Sequence, residues 1–306
     1  MTSLLPYDEL IDWIRLARTS GVGAKKFRQL LTRFGAASEA IAHQAEWGGK
    51  QMAVSKPSVA EEEFAAATKA KLQYLPFTDP RYPAPLAALD DAPPLLLVKG
   101  KIETLAMPLL AIVGARNATI NGRKFAKVLA ADLAKAGYGI ISGMARGIDG
   151  AAHEGALTTG TTVAVLAGGT DAIYPPEHQD LYERIAATGA VVSEMPPGTE
   201  PQAALFPSRN RIISGASQGV IVVEATPRSG SLITARYAAE QGRNVFAVPG
   251  SPLDPRAQGP NGLIRDGATM IQSVDDVLAE LQSIRVSLRN NSSPSAPSFQ
   301  SPVTPS

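Results

Sequence analysis

Apolar residues follow three regimes along the chain. From Asp8 to Arg18, Leu10, Ile11, Ile14 and Leu16 recur at near-helical spacing. A tight turn, Thr19-Ser20-Gly21-Val22-Gly23-Ala24, leads into a second predicted helix from Lys25 to Phe34, with Phe27, Leu30 and Leu31 on one face. A third, rich in alanine and glutamate, is predicted from Glu61 to Leu72. Six prolines between Leu75 and Pro94 then call for an extended connector with turns. Leu95–Val98, followed by Lys99-Gly100, reads as a short edge strand.

From Leu109 onward, short continuous apolar runs alternate with helical patterns. The predicted strands are Leu110–Val113, Gly139–Ile141, Thr162–Leu166, Ala190–Ser193, Val220–Val223, Val245–Val248 and Ala268–Ile271. Predicted helices lie near 121–136, 148–158, 178–188, 208–216, 231–241 and 274–284. Strands that are apolar throughout belong to a sheet covered on both faces. The expected fold is therefore α/β: an extended Rossmann-like, doubly wound, mostly parallel sheet preceded by a small all-α domain. The expected divisions are residues 1–72 (helical), 73–286 (Rossmann-like) and 287–306, a disordered Pro/Ser-rich tail or linker ending NNSSPSAPSFQSPVTPS.

Composition narrows the function classes. With 44% hydrophobic residues, the 306-residue chain can bury one large core and a smaller one. The absence of cysteine removes disulfides, thiolate nucleophiles and cysteine-based zinc sites together. A formal charge of +1 means that any nucleic-acid site must be a local patch. The start, MTSLLPYDELIDWIRL, has no basic segment followed by an apolar run, and no apolar run reaches membrane-spanning length. A soluble cytoplasmic protein with no membrane partner is expected.

The candidate chemistry gathers at strand ends. Gly114-Ala115-Arg116 follows the first parallel strand, and Ser142-Gly143-Met144-Ala145-Arg146-Gly147 follows the second. Glycine, hydroxyl and arginine at helix N-termini supply what a phosphate needs: free N–H groups, a favourable dipole and bidentate charge. Ser229-Gly230-Ser231 opens another helix in the same manner. In Phe206-Pro207-Ser208-Arg209-Asn210-Arg211, cations, an amide and an aromatic ring share one short segment, a combination suited to single-stranded nucleic acid. Each segment alone also has an ordinary structural reading, as a glycine turn, an N-cap serine or a helix start with surface arginines. Their convergence on one sheet edge is what favours a ligand. Gly-Val-Gly between the first two helices resembles a helix-hairpin-helix turn, which can contact a DNA phosphate or simply pack two helices.

Other ligands and chemistries find less support. A dinucleotide fold needs G-x-G-x-x-G and an acidic end to its second strand, whereas this chain has GARNAT and Ser142-Gly143. No Walker A loop is present, so no cofactor is expected. Asp149 and His153, four apart, read as a structural pair, and His43 and His178 have no visible partner. Glu194 and Glu224 at strand ends suit either general bases of a nucleotide hydrolase or residues that orient the arginines. No nucleophile–base–orienter set and no metal-ligand set is apparent, so no catalytic residues are assigned.

Six segments occurring in order, IVGARNATINGRKFA, IISGMARGIDGAAHEGAL, AGGTDAIYPPEHQDLY, SEMPPGTEPQAALFPSRNRIISGAS, VVEATPRSGSLITARYAAEQGRNVFAVPGS and GPNGLIRDGA, resemble the DprA/Smf family of DNA processing proteins. The resemblance covers about Leu75 to Leu281. The segment 7–70 resembles that family's SAM-like, helix-hairpin-helix-related N-terminal domain. The resemblance implies a protein without known catalytic activity. It implies one that binds single-stranded DNA, forms a homodimer, and loads the recombinase RecA onto incoming strands in natural transformation. It assigns phosphate contacts to Gly114 and Arg116 and to Ser142, Gly143 and Gly147, with Arg146 in the same turn. Phe206, Arg209, Asn210 and Arg211 would form a stacking and phosphate segment, and Ser229, Gly230 and Ser231 an amide cradle. Where the family shows Tyr-Pro-x-x-Asn, this chain has Tyr174-Pro175-Pro176-Glu177-His178. Many relatives carry a C-terminal winged-helix domain, toward which the Pro/Ser-rich segment would lead. The alternative is a nucleotide-processing hydrolase of the phosphoribohydrolase-like Rossmann group. AGGTDAIYPPEH, however, lacks the second Gly-Thr and the placed glutamate of its PGGxGTxxE signature.

Overall fold

A computed structural model describes residues 5–48 and 53–291. Five helices come first: α1 (Tyr7–Ala17), α2 (Ala24–Phe34), α3 (Ala37–Ala42), α4 (Gln44–Gly48) and α5 (Pro57–Lys69). Helix α5 starts four residues before the expected Glu61 because Pro57 occupies its first turn, where a missing N–H costs nothing. The proline-rich connector is more structured than its composition suggests. It contributes strand β1 (Gln73–Pro76) and a one-turn helix α6 (Ala84–Ala87), and is followed by β2 (Leu95–Gly100). β2 was expected at the sheet edge but is flanked on both sides. It pairs antiparallel with β1 and with a later strand, so β1 is the true edge, and its proline sits at the strand end where a lost donor is tolerated.

The helical module packs onto this antiparallel end. Leu10, Trp13, Ile14 and Phe27 share one core with Tyr74, Leu95 and Leu97. Arg18 donates two hydrogen bonds of 2.9 Å to Glu63, which also accepts from the Tyr74 hydroxyl at 3.0 Å.

The remainder alternates strand and helix: β3 (Leu109–Val113), α7 (Ile120–Lys135), β4 (Gly139–Ser142), α8 (Ile148–Thr159), β5 (Thr162–Val165), α9 (Gln179–Thr188), β6 (Ala190–Ser193) and α10 (Leu205–Ala216). Then follow β7 (Gly219–Val222), α11 (Gly230–Glu240), β8 (Asn244–Ala247), α12 (Gln258–Arg265), β9 (Thr269–Met270) and α13 (Val274–Asn291). The nine strands form one sheet in the order β1-β2-β6-β5-β4-β3-β7-β8-β9, parallel from β6 onward. Every residue of β3 to β7 is buried, as the continuous Val/Ile/Leu runs require of a sheet covered on both sides. Alternate residues serve opposite faces. Ala111 and Val113 pack with α10 and α11, and Leu110 and Ile112 with α7, α8 and α13.

From β3 the chain winds outward through β4, β5 and β6. It then returns through α10 to place β7 on the other side of β3. That reversal opens a crevice beyond the carboxyl ends of β3 and β7. Helix α13 runs to Asn291, past the expected end near 284, so residues 287–291 of the expected tail are helical. The rest of that tail, 292–306, lies outside the described residues.

Candidate functional site

The crevice is a cleft of about 510 Å³. Its walls come from five strand-end segments: Gly114–Asn117 after β3, Ala145 and Asp149 after β4, the start of α10, Thr226 to Ser231 after β7, and Pro255-Arg256 after β8.

The turn after β3 is held from below. Glu224 accepts from the Thr119 backbone N–H at 2.9 Å and from the Thr119 hydroxyl at 2.5 Å, while its carbonyl accepts from Ala115 N at 2.6 Å. Thr119 in turn caps α7 by accepting from Gly122 N at 2.8 Å. Glu224 is therefore a clamp for the turn, and its carboxylate is committed to Thr119. Gly114 is required by close approach, since a Cβ there would lie 2.6 Å from Ile148 Cγ1 and 2.9 Å from the Glu224 carbonyl. Arg116 projects from this rigid turn, exposed, with its guanidinium 5.1 Å from the centre of the Phe206 ring.

The second turn behaves differently from the first, and this corrects the phosphate roles expected for Ser142, Gly143 and Gly147. Ser142 is fully buried and donates to Ile112 O at 2.6 Å. The Gly143 and Ala145 amides donate to Asp149 at 3.2 and 3.3 Å, so a side chain already occupies the expected cradle. A Cβ on Gly143 would fall 1.7 Å from Arg209 Nη1. Gly147, at φ +77°, packs so closely on the first turn that a Cβ would lie 2.2 Å from Ala115 O. Ser142 and Gly147 shape the cleft without lining it, and Gly143 lines only a smaller hollow beside Phe206. Arg146 is exposed but points past the main cleft, where its Nε and Nη2 donate to Glu177.

FPSRNR lies on a helix rather than a loop, because α10 begins at Leu205, before the expected 208. Pro207 is tolerated in that first turn, where backbone donors have no intrahelical partner. Helical phase then separates the two arginines. Phe206, Arg209 and Asn210, three and four apart, line the cleft together. Arg211 faces elsewhere: it donates to both oxygens of Glu194 at 2.7 and 2.8 Å and to Asp91 O at 2.7 Å. It lines a separate depression with Lys25 and Lys26 of the helical module. Glu194 thus orients an arginine, one of its two expected roles.

Arg209 and Asp149 form the floor. Arg209 is 6% exposed, donates to Val165 O at 3.1 Å and leaves its Nε unpartnered. Burial lowers its pKa to about 10, with the Asp149 charge opposing and Arg116 reinforcing, so it stays cationic at neutral pH. Burial raises the Asp149 carboxyl, against the charge of Arg209 and the two amides. Asp149 and His153 do not pair with one another: the His153 ring meets the Thr162 hydroxyl at 2.7 Å. Burial, then the charges of His178 and Arg209, lower the His153 pKa to about 3.

Ser229 caps α11, accepting from Ser231 N at 3.4 Å, and a Cβ on Gly230 would meet open space. The Asn210 amide donates to Gly230 O at 3.2 Å, tying α10 to this turn. The α11 N-terminus therefore opens into the cleft with its positive dipole end. Arg256, half-buried and hydrogen-bonded to Asp254 at 3.0 Å, was not singled out from the sequence. The available signal was a cation in PGSPLDPRAQGPNG, one more strand-end segment at the carboxyl edge. Asn117 and Thr226 were missed in the same way. Asp149 is the one carboxylate in this lining. Among the described residues, no group of three His, Asp or Glu side chains could hold a metal, and no helix is long and apolar enough to cross a membrane.

Two family profiles match the chain: DNA recombination-mediator protein A over residues 73–282, and the DprA-like N-terminal HHH domain over residues 7–66. DNA processing protein DprA of Bacillus subtilis is 44% identical over 219 residues, covering 71% of this chain and 74% of the relative. Protein Smf of Synechocystis sp. is 43% identical over 217 residues, covering 69% of this chain. The match spans about half, 54%, of that relative's length. Among solved structures, DprA of Streptococcus pneumoniae matches with a TM-score of 0.76 and 37% identity, over 88% of this chain and 97% of the other. DprA of Helicobacter pylori, described for its single-stranded DNA binding mode, matches with a TM-score of 0.63 and 30% identity, over 69% of this chain and 97% of the other.

Proposed function

For a chain that belongs to the DNA recombination-mediator protein A family, we propose single-stranded DNA as the ligand of the cleft at the β3–β7 reversal. The observation that carries this reading is the placement of Arg116, on a clamped turn, over the ring of Phe206. A strand bound there sets a phosphate on the guanidinium and a base against the ring. Only an unpaired strand offers that base face. In the proposed site, Gly114 lets the backbone approach, Gly230 and Ser231 present the α11 terminus, and Arg209 and Asn210 complete the wall. Ser142, Gly143 and Gly147 act by shaping the two turns.

In this reading the protein coats incoming single strands and loads RecA onto them for recombination in natural transformation. It acts in the cytoplasm as a homodimer and performs no chemistry of its own. Residues 1–72 form a helical unit and 73–286 the DNA-binding unit.

The test is a filter-binding titration of single- and double-stranded oligonucleotides across a salt series. Strong preference for the single strand is expected, with log affinity falling by about 0.7 per phosphate contacted for each unit of log salt. Equal affinity for both forms, or none for either, refutes the reading. Faster RecA nucleation on single strands in the protein's presence is the corresponding test of loading.

A further inference from the structure

The cleft does not stop at Phe206. Beside that ring lies a second lobe, a small hollow of about 20 Å³ lined by Gly143, Ala145, Arg146, Tyr174 and Pro175. Arg116, Ala145 and Phe206 line both spaces, so the two adjoin at that ring. Tyr174 is 42% exposed and stands edge-on to Phe206, with ring centres 6.1 Å apart and planes at 62°. The open part of its ring is available to a base beside a proposed stacking residue. Arg146 lines the same hollow and supplies a cation there.

That cation is presently neutralised. Glu177 accepts from Arg146 Nη2 at 2.9 Å and from its Nε, in a forked pair with both side chains about half exposed. An exposed pair of this kind contributes little stability, because water screens it. A phosphate offers the same fork geometry and displaces the carboxylate at small cost.

We propose that Tyr174 and Arg146 form a second nucleotide subsite on the DNA path, and that Glu177 occupies its phosphate position until the strand displaces it. The subsite rests on the single-stranded DNA reading of the main cleft. Tyr174 stacks the base adjacent to the one on Phe206, Arg146 takes the intervening phosphate, and Glu177 acts as an intramolecular competitor.

Fluorescence anisotropy of labelled oligothymidylates of increasing length, with the full chain, tests this. Tyr174→Ala is expected to weaken binding about tenfold or more for oligomers long enough to reach the second lobe, while thymidine monophosphate, which carries a single base, binds as before. Tyr174→Phe, which keeps the ring, restores the affinity of the long oligomers. Glu177→Gln, an exposed change that leaves the fold alone, tightens binding several-fold and steepens the salt dependence. Wild-type affinity of Tyr174→Ala at every length, or weaker binding by Glu177→Gln, overturns the subsite while leaving the main cleft standing. Failure of the unaltered protein to bind any oligomer overturns both.

Discussion

Arg116 and Arg211 look alike in sequence, yet their replacement by alanine should damage different properties. Arg116 is exposed and its guanidinium lies over the Phe206 ring, at 5.1 Å. Removing it forfeits an exposed cation–π contact worth about 0.5–1 kcal/mol, so the fold is nearly unaffected. In the complex the same change deletes a charge-assisted contact to phosphate, worth about 1.5–3 kcal/mol, or roughly 10- to 150-fold in affinity. The salt slope should fall by about 0.7, for one phosphate lost. Arg211 is the reverse case. Its side chain is 14% exposed and that of Glu194 17%, and two hydrogen bonds join them. Arg211→Ala leaves Glu194 half of a mostly buried pair, at a cost of about 2–3 kcal/mol after allowing for the water that still reaches it. For a unit of this size that lowers Tm by about 5–10 °C. Filter binding at moderate salt and thermal unfolding, run on both variants, separate the effects. The reasoning is refuted if Arg116→Ala binds single strands as tightly as the parent, or if Arg211→Ala loses affinity at an unchanged Tm.

Three further changes probe the scaffold. The Thr162 hydroxyl donates to Ile140 O at 2.7 Å, so His153 donates to it through Nδ1 and its buried Nε2 carries a bare lone pair without a partner. The folded state protonates His153 only near pH 3, the unfolded state near 6.5, so stability is lost as pH drops from 6.5 toward 3, by up to about 1.4 kcal/mol per unit. His153→Asn should flatten this part of the urea-unfolding profile, and an unchanged slope would discount His153. Gly147→Ala places a Cβ 2.2 Å from Ala115 O at a left-handed φ and should cost about 2–4 kcal/mol. A wild-type urea midpoint would contradict the packing of the two turns. Glu224→Gln turns one acceptor for Thr119 into a donor, at about 1–3 kcal/mol, and should weaken single-strand binding with Arg116 still in place. Full affinity in that variant would mean that the clamp does not position the turn.

Local order along the chain was enough to define much of this protein. The Val/Ile/Leu runs of β3 to β7 are apolar throughout because both sheet faces are covered, and that property is written into five-residue windows. GARNAT and SGMARG announced the carboxyl-edge turns because glycine is demanded wherever backbone approaches backbone, as at Gly114 and Gly147. The absence of an acidic end to β4 argued against a dinucleotide from four residues alone. Ordered motifs also carried the family resemblance.

What depended on tertiary structure were the partners and the phase. Whether FPSRNR aims one arginine or two into the cleft depends on where α10 begins, and three residues of shift turn a side chain through most of a helical turn. The Gly143 and Ala145 amides looked free until the chain folded Asp149 back beneath them. Glu224 and Thr119 are 105 residues apart, and Arg211 and Asp91 are 120 apart. No periodicity reports such pairs, because they are set by which strands lie side by side. The same holds for β1, which opens a segment whose prolines mark a connector by composition, and whose role as the sheet edge is decided by the core it shares with Trp13 and Phe27. Residue type along the chain settled which chemistry this edge could hold; only the reversal between β3 and β7 settled which of those groups meet.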